Sequence, residues 1–224
     1  RKRVEYVTTD MYRPYIDLAK KVFPNANIVV DKFHIVQLLT RELNKLRINE
    51  MKKLNTRSKE YKILKRYWKI PLTRNWELNR IHFYKNRHFK NMTSSIDILD
   101  YMLKEFPNLK EAYDFYQNFL LSISKNDVAM LEDILNTRTD KIPMCFRKSI
   151  KTLKKLRKYV VNSLKYDYTN AMVEGKNNKI KVIKRVSYGY RSFRNFKARI
   201  MLMERYKIQK GNIHSYQFAM DAAA

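Results

Sequence analysis

VEYVTTDMYRPYIDLAKKVFPNANIVVD, residues 4–31, is the stretch on which the fold turns. Val4 to Thr9 mixes β-branched and aromatic residues over a strand length, and Asn27 to Val30 is a second short apolar run of strand type. Between them Pro14 stands near the start of a segment in which Tyr15, Leu18, Ala19, Val22 and Phe23 recur at helical spacing, and Pro24-Asn25 ends it. Strand, helix and strand of these lengths make one βαβ unit, with parallel strands and a right-handed crossover. Asp10 and Asp31 each end a strand, so both carboxylates are expected at the carboxyl edge of the sheet, where open α/β sheets collect ligands. The competing role of each is a helix cap, Asp10 ahead of Pro14 and Asp31 ahead of Lys32, and for Asp31 the two roles can coexist.

Beyond Asp31 the hydrophobic period becomes that of a helix. Lys32 to Leu54 carries Phe33, Val36, Leu39, Leu43, Leu46 and Leu54 as a stripe, and Ser58 to Ile70 repeats it with Tyr61, Leu64 and Trp68 before Pro71. Further helices are expected at Ser94 to Phe106, Leu109 to Ile123, Asp127 to Leu135 and, as one long basic element, Phe146 to Leu164. No convincing strand lies between Asp31 and Glu174. Aromatic residues at these spacings read as core rather than as platforms for stacked bases.

Near the C-terminal end, residues 167–185 read DYTNAMVEGKNNKIKVIKR. As a helix from about Asn170 this stretch has Val173, Ile180 and Ile183 along one side and Glu174, Asn178, Lys181 and Arg185 along the other. Taken alone, Glu174 is an ordinary solvated carboxylate with i, i+4 contacts. A turn holding Gly189 follows, and then a second basic helix with Phe193, Phe196 and Ile200 at helical spacing.

Composition narrows the partners. With 48 Lys and Arg against 21 acidic residues the formal charge is +27, which attracts any polyanion, nucleic acid first. A hydrophobic fraction of 45% excludes a disordered basic tail. The charge is spread along the chain without an amphipathic anchor or an apolar run of spanning length, so no membrane partner is expected and the protein reads as soluble and intracellular. Cys145 is the single cysteine and cannot form an internal disulfide, and the four histidines lack zinc-site spacing. The sequence opens Arg1-Lys2-Arg3 without an initiator Met and is expected to be a piece of a longer protein.

Two blocks together carry a family resemblance. E-G-x-N-N-K-I-K-x-I-K-R with S-Y-G-Y-R-x-F-x-N-F-x-x-R-I, and V-x-T-D-M-Y-x-x-Y with F-P-N-A-x-I-V-x-D-K-F-H-I-V, resemble bacterial insertion-sequence transposases of the DDE superfamily, ISL3 group. The resemblance implies an α/β fold with predominant helix: a partial ribonuclease H-like core (residues 1–45), an all-α insertion (46–165), C-terminal core helices with Glu174 and a basic face (166–210) and a tail (211–224). It places Asp10 and Glu174 as second and third catalytic and metal-binding carboxylates. The first catalytic Asp would lie upstream, so this chain alone is expected to be inactive. Asp31 and His34 match a D-x-x-H pair, read as supporting the site without binding metal. Lys179, Lys181, Lys184, Arg185, Arg191 and Arg194 would hold phosphates. Two Mg²⁺ ions are implied, with Mn²⁺ as a substitute, because an in-line phosphoryl displacement uses cations about 4 Å apart held by hard oxygen donors. The partners implied are double-stranded DNA, as transposon ends and target, and a second copy in a homodimer; the location is the bacterial cytoplasm, at the nucleoid. The alternative is a DNA-binding remnant that binds ends without cutting.

Overall fold

The structure is a computed structural model that describes residues 1–205; the expected tail lies outside them. β1 (Tyr6–Thr9) and β2 (Asn27–Val30) pair in parallel, Thr9 opposite Val30, with α1 (Arg13–Val22) as the crossover. Among the described residues these two strands are the whole sheet, and the rest is mainly helix. α2 (Lys32–Lys52) starts directly after β2, α3 (Lys59–Arg66) follows, and α4 (Ser95–Glu105), α5 (Pro107–Ser124), α6 (Val128–Asn136), α7 (Arg147–Lys155) and α8 (Arg157–Lys165) complete the first of two compact units, residues 1–169. The expected boundary between residues 45 and 46 falls inside α2.

One main core, with a small satellite cluster of Leu78, Leu99 and Tyr113, serves this unit. α5 buries Leu109, Ala112, Tyr116, Phe119 and Leu120, and α2 packs on it through Ile35, Leu39 and Leu43. Each leucine, isoleucine and phenylalanine among these contributes about 1.5–3 kcal/mol on leaving water. β2 is buried at Ile28, Val29 and Val30 and is covered by α8, whose Asn162 amide donates to the Ile28 carbonyl at 2.9 Å. Arg47 is buried too: Nη1 donates to the Leu64 carbonyl at 2.6 Å and Nε to Asn44 at 2.9 Å, so its guanidinium ties α2 to α3. Burial lowers its pKa.

Three expectations need correction. The long basic helix is two, α7 and α8, broken at Leu156 (φ −106°, ψ 15°) although no Gly or Pro lies between Arg147 and Lys165. Both helices lie against α2 and α6, but α8 also turns onto β2, and this added packing accompanies the break. In α1 the buried positions are Ile16 and Ala19, and Tyr15 and Leu18 stay exposed. In α2, Phe33 is exposed and Ile35 takes its place in the core.

The second unit begins at Asn170 and is described to residue 205. It is a helical hairpin of α9 (Ala171–Val186) and α10 (Phe193–Arg205). Ile183 is buried, Ile180, Tyr190, Phe196 and Ile200 are half-buried, and Val173 is exposed. Tyr190 and Phe196 pack ring to ring at 4.9 Å.

Candidate active site and basic hairpin

β1 and β2 end in register, so the residues that follow them, Asp10 and Asp31, emerge side by side at the carboxyl edge of the sheet. Their environments differ. Asp31 is buried and caps α2, its Oδ1 accepting the Phe33 N–H at 2.7 Å. A carboxylate there also meets the positive end of the helix dipole. Asp10 is half-exposed and caps nothing: Tyr12 is the cap residue of α1, and Asp10 Oδ1 accepts the Tyr12 N–H at 3.2 Å in a tight turn. Among the described residues Asp10 has no ion-pair partner.

Asp10 lines a cleft of about 270 Å³ with Met11, Tyr12, His34, Gln37, Leu38 and Arg41. His34, Gln37 and Arg41 fall on successive turns of α2, one face of which therefore forms the cleft wall. Gln37 accepts from the Arg41 guanidinium and so holds a cation in the wall. Tyr12 and Tyr15 meet edge-on at 5.0 Å and are exposed, as is Phe33, which packs edge-on against His34 at 5.5 Å. The sequence reading paired Asp31 with His34 but missed Gln37 and Arg41, although their spacing from His34 on a helix was the available signal.

The last residues of the first unit are pinned to it. The Tyr6 ring meets those of Tyr166 and Tyr168 at 4.9 and 4.6 Å, and Lys32 pairs with Asp167 at 3.3 Å. Burial, the two tyrosines and Glu5 raise the Tyr6 pKa. Cys145 is half-buried with its thiol pushed up to about 11, mainly by burial, which makes it a poor nucleophile.

In the second unit Glu174 lies exposed in the first turn of α9. Lys181, Lys184 and Arg185 line one shallow depression with Tyr188 and Gly189. Lys179 donates to the Met203 carbonyl at 3.3 Å, tying α9 to α10, and Arg191 and Arg194 are exposed. Among the described residues, Lys181, Lys184, Arg185, Arg191 and Arg194 are exposed and show no such tie.

Carboxylates are the right donors for a hard divalent cation. Among the described residues no three His, Cys, Asp or Glu side chains gather closely enough to hold a metal ion. Asp10 and Glu174, each taken by itself, carry oxygen donors of the kind such a cation uses.

A sequence model of the ISL3-type DDE transposase family, described as transposase, matches residues 1–200. A curated relative named ATP-dependent protease, from Lactococcus lactis subsp. lactis, is 30% identical over 197 residues, which is 86% of this chain and 62% of the relative. The chain thus spans less than two thirds of the length of that relative. No solved structure matches the chain.

Proposed function

We propose, for a chain that belongs to the ISL3 family of DDE transposases, that it supplies the second and third acidic residues of a centre that cuts and joins DNA at insertion-sequence ends. The observation that carries this reading is Asp10: a half-exposed carboxylate at the carboxyl end of a strand, without an ion-pair partner among the described residues, in a cleft walled by an arginine. A merely structural Asp at this place would do what Asp31 does. Glu174 is the third acidic residue, the single acidic side chain on a helix that also exposes Lys176, Lys179, Lys181, Lys184 and Arg185.

In this reading β1, α1 and β2 are part of a ribonuclease H-like core, the helices after α2 are an insertion, and α9 and α10 return to the core. The first acidic residue comes from sequence outside residues 1–224. Divalent metal ions, Mg²⁺ or Mn²⁺, supply activation of the attacking oxygen and stabilisation of the leaving one when bound. The residues of this chain do the rest. Asp10 and Glu174 present hard oxygen donors, Asp31 and His34 fix the first turn of α2, and Arg41 meets the negative charge of a phosphate brought into the cleft. Lys181, Lys184, Arg185, Arg191 and Arg194 hold duplex backbone, with Lys179 bracing the hairpin. Transposon ends and target are double-stranded DNA, bound by a homodimer at the nucleoid of a bacterial cytoplasm. The three glycines of the sequence, Gly175, Gly189 and Gly211, are widely separated, so this stretch holds no glycine-rich nucleotide loop of the kind that ATP dependence would suggest.

The test uses a protein extended to include the upstream acidic residue. Asp10→Asn and Glu174→Gln are each expected to abolish strand cleavage in Mg²⁺ or Mn²⁺ while DNA affinity stays within a few fold, since neither removes a cation. The 224-residue chain by itself is expected to bind without cutting. Cleavage at the wild-type rate in Glu174→Gln would return that residue to the role of a solvated helix carboxylate, and binding without cleavage by the extended protein would favour the remnant.

A further inference from the structure

Between α3 and α4 the chain makes a finger that the roles above do not use. Tyr84 and Thr93 exchange backbone hydrogen bonds at 3.1 and 3.0 Å and close its base. Asn86, buried, accepts the His88 N–H at 3.1 Å through its side chain and the Phe89 N–H at 3.0 Å through its carbonyl, shaping the tip. Phe89 is tucked edge-on against Tyr101 at 5.3 Å, and the Lys59 ammonium covers both rings at 4.8 and 4.5 Å. The finger is therefore anchored to α3 and α4 rather than loose.

What it presents outward is one-signed. No acidic residue occurs from Leu78 to Ile96, while Lys85, Arg87 and Lys90 are exposed on the finger. The charges acting on His88 are all positive and come from both the finger and α3: after burial, Arg87, Arg66, Lys62 and Lys59 lower its pKa. Beside these cations Ile81 is 80% exposed, and Phe83 is 52% exposed. Asn79 holds Ile81 out by accepting the Ile81 and His82 N–H groups at 3.2 and 3.0 Å. A duplex backbone asks only for cations, whereas apolar and aromatic faces set among cations gain from bases that have left the stack.

We propose that this finger, residues 79–92, with Lys62 and Arg66 of α3, is a binding surface for a DNA strand with unpaired bases. It deepens the DNA-handling role proposed above but is tested by binding alone, so the loss of cleavage and the loss of this surface are separate results. The assignment also uses a built-in reporter. The two tryptophans of the chain, Trp68 and Trp76, are both partly exposed and flank the surface, Trp68 just beyond Arg66 and Trp76 next to Asn75, which accepts from Arg80.

The experiment titrates the 224-residue chain with oligothymidylate and with a duplex of equal length, reading tryptophan fluorescence and anisotropy of labelled DNA. Phe83→Ala should weaken oligothymidylate binding by roughly 5- to 100-fold, the range of one lost base stack, and duplex binding less than about twofold. Lys85→Ser/Arg87→Ser/Lys90→Ser should remove the tryptophan response to oligothymidylate while Arg191→Ser/Arg194→Ser keeps it. All these side chains are exposed, and circular dichroism melts check that the fold is kept. The proposal is overturned if Phe83→Ala binds oligothymidylate like the wild type, if it loses duplex and single strand alike, or if the finger variant keeps the full fluorescence response.

Discussion

Residues 1–169 and the hairpin that follows are built on opposite terms. The first unit buries apolar side chains from nearly every helix and from β2 in one main core, so its helices are held by what they pack on. In the hairpin, among the described residues, Ile183 alone is buried, and Val182, Val186, Phe193 and Leu202 each remain more than half exposed. Isolated helices of this length are marginal in water, and this pair also carries a dense positive charge that repels itself. Bound phosphate removes that repulsion. The first unit is thus held together by its packing, whereas the described part of the hairpin leaves most of its apolar side chains exposed.

The widest gap should appear on truncating side chains. Phe119→Ala, at a fully buried position in α5, is expected to cost about 3–5 kcal/mol, the transfer term plus a cavity. Val182→Ala in α9 should stay within about 0.5 kcal/mol. Urea midpoints of both variants measure it, and equal losses would erase the distinction between the two units. Next in size is Arg47→Met, which keeps the volume but leaves the Leu64 carbonyl without its 2.6 Å donor; about 1–3 kcal/mol should be lost. A neutral outcome would show water replacing the guanidinium.

These first effects separate what the sequence disclosed from what it hid. The βαβ unit was legible because two β-branched runs flank one helical period, and its consequence, Asp10 and Asp31 at adjacent strand ends, needs only the parallel pairing. Most helices were legible to within a few residues because Pro or a capping side chain marks their ends, as Ser58, Ser94 and Asp127 do. Periodicity did less well on which face is buried. Phe33 is as apolar as the Ile35 that displaced it, and nothing in the local sequence says that Tyr15, Leu18 and Phe33 face outward. Leu156 carries no local break signal at all. At the site, Glu174 was legible only through the resemblance, since a lone Glu in a basic helix has no distinguishing chemistry, and Arg41 was missed because it belongs to no recognised block.

A smaller effect probes the scaffold at a helix start. Ser94 is fully buried and forms a capping box with Asp97 on α4, the Asp97 carboxylate accepting from the Ser94 N–H and hydroxyl at 2.8 Å each. Ser94→Ala should cost about 1 kcal/mol. Those two hydrogen bonds hold the Asp97 pKa below its ordinary value. A depressed folded-state pKa means the contribution is fully present above the ordinary carboxylate range and fades as pH falls through the folded value. The penalty of Ser94→Ala measured by urea at neutral pH should therefore shrink near pH 3, and a penalty independent of pH would dissociate the cap from the carboxylate.

The smallest effect lies in the hairpin and runs the other way. α9 ends in a Schellman arrangement: the Gly189 N–H donates to the Lys184 carbonyl at 3.2 Å and the Tyr188 N–H to Arg185 at 3.0 Å. The residue after the cap in this arrangement takes a left-handed backbone, for which glycine is preferred, and here Tyr188 holds φ 52°. For an L-residue that conformation costs roughly 1–2 kcal/mol. Tyr188→Gly removes the strain but adds about 0.5–1 kcal/mol of unfolded-chain entropy, so the hairpin should gain about 0.5–1 kcal/mol. Nothing is lost in packing, because the tyrosine is fully exposed. Tyr188 borders the depression lined by Lys181, Lys184 and Arg185, so this substitution also tests the DNA contact proposed for those cations. Helicity of a peptide spanning residues 170–205 should accordingly rise in Tyr188→Gly while duplex affinity of the whole chain falls. A variant with more helix and unchanged DNA binding would make Tyr188 an accident of sequence, and one with less helix would mean that the ring stabilises the turn in a way its exposure does not suggest.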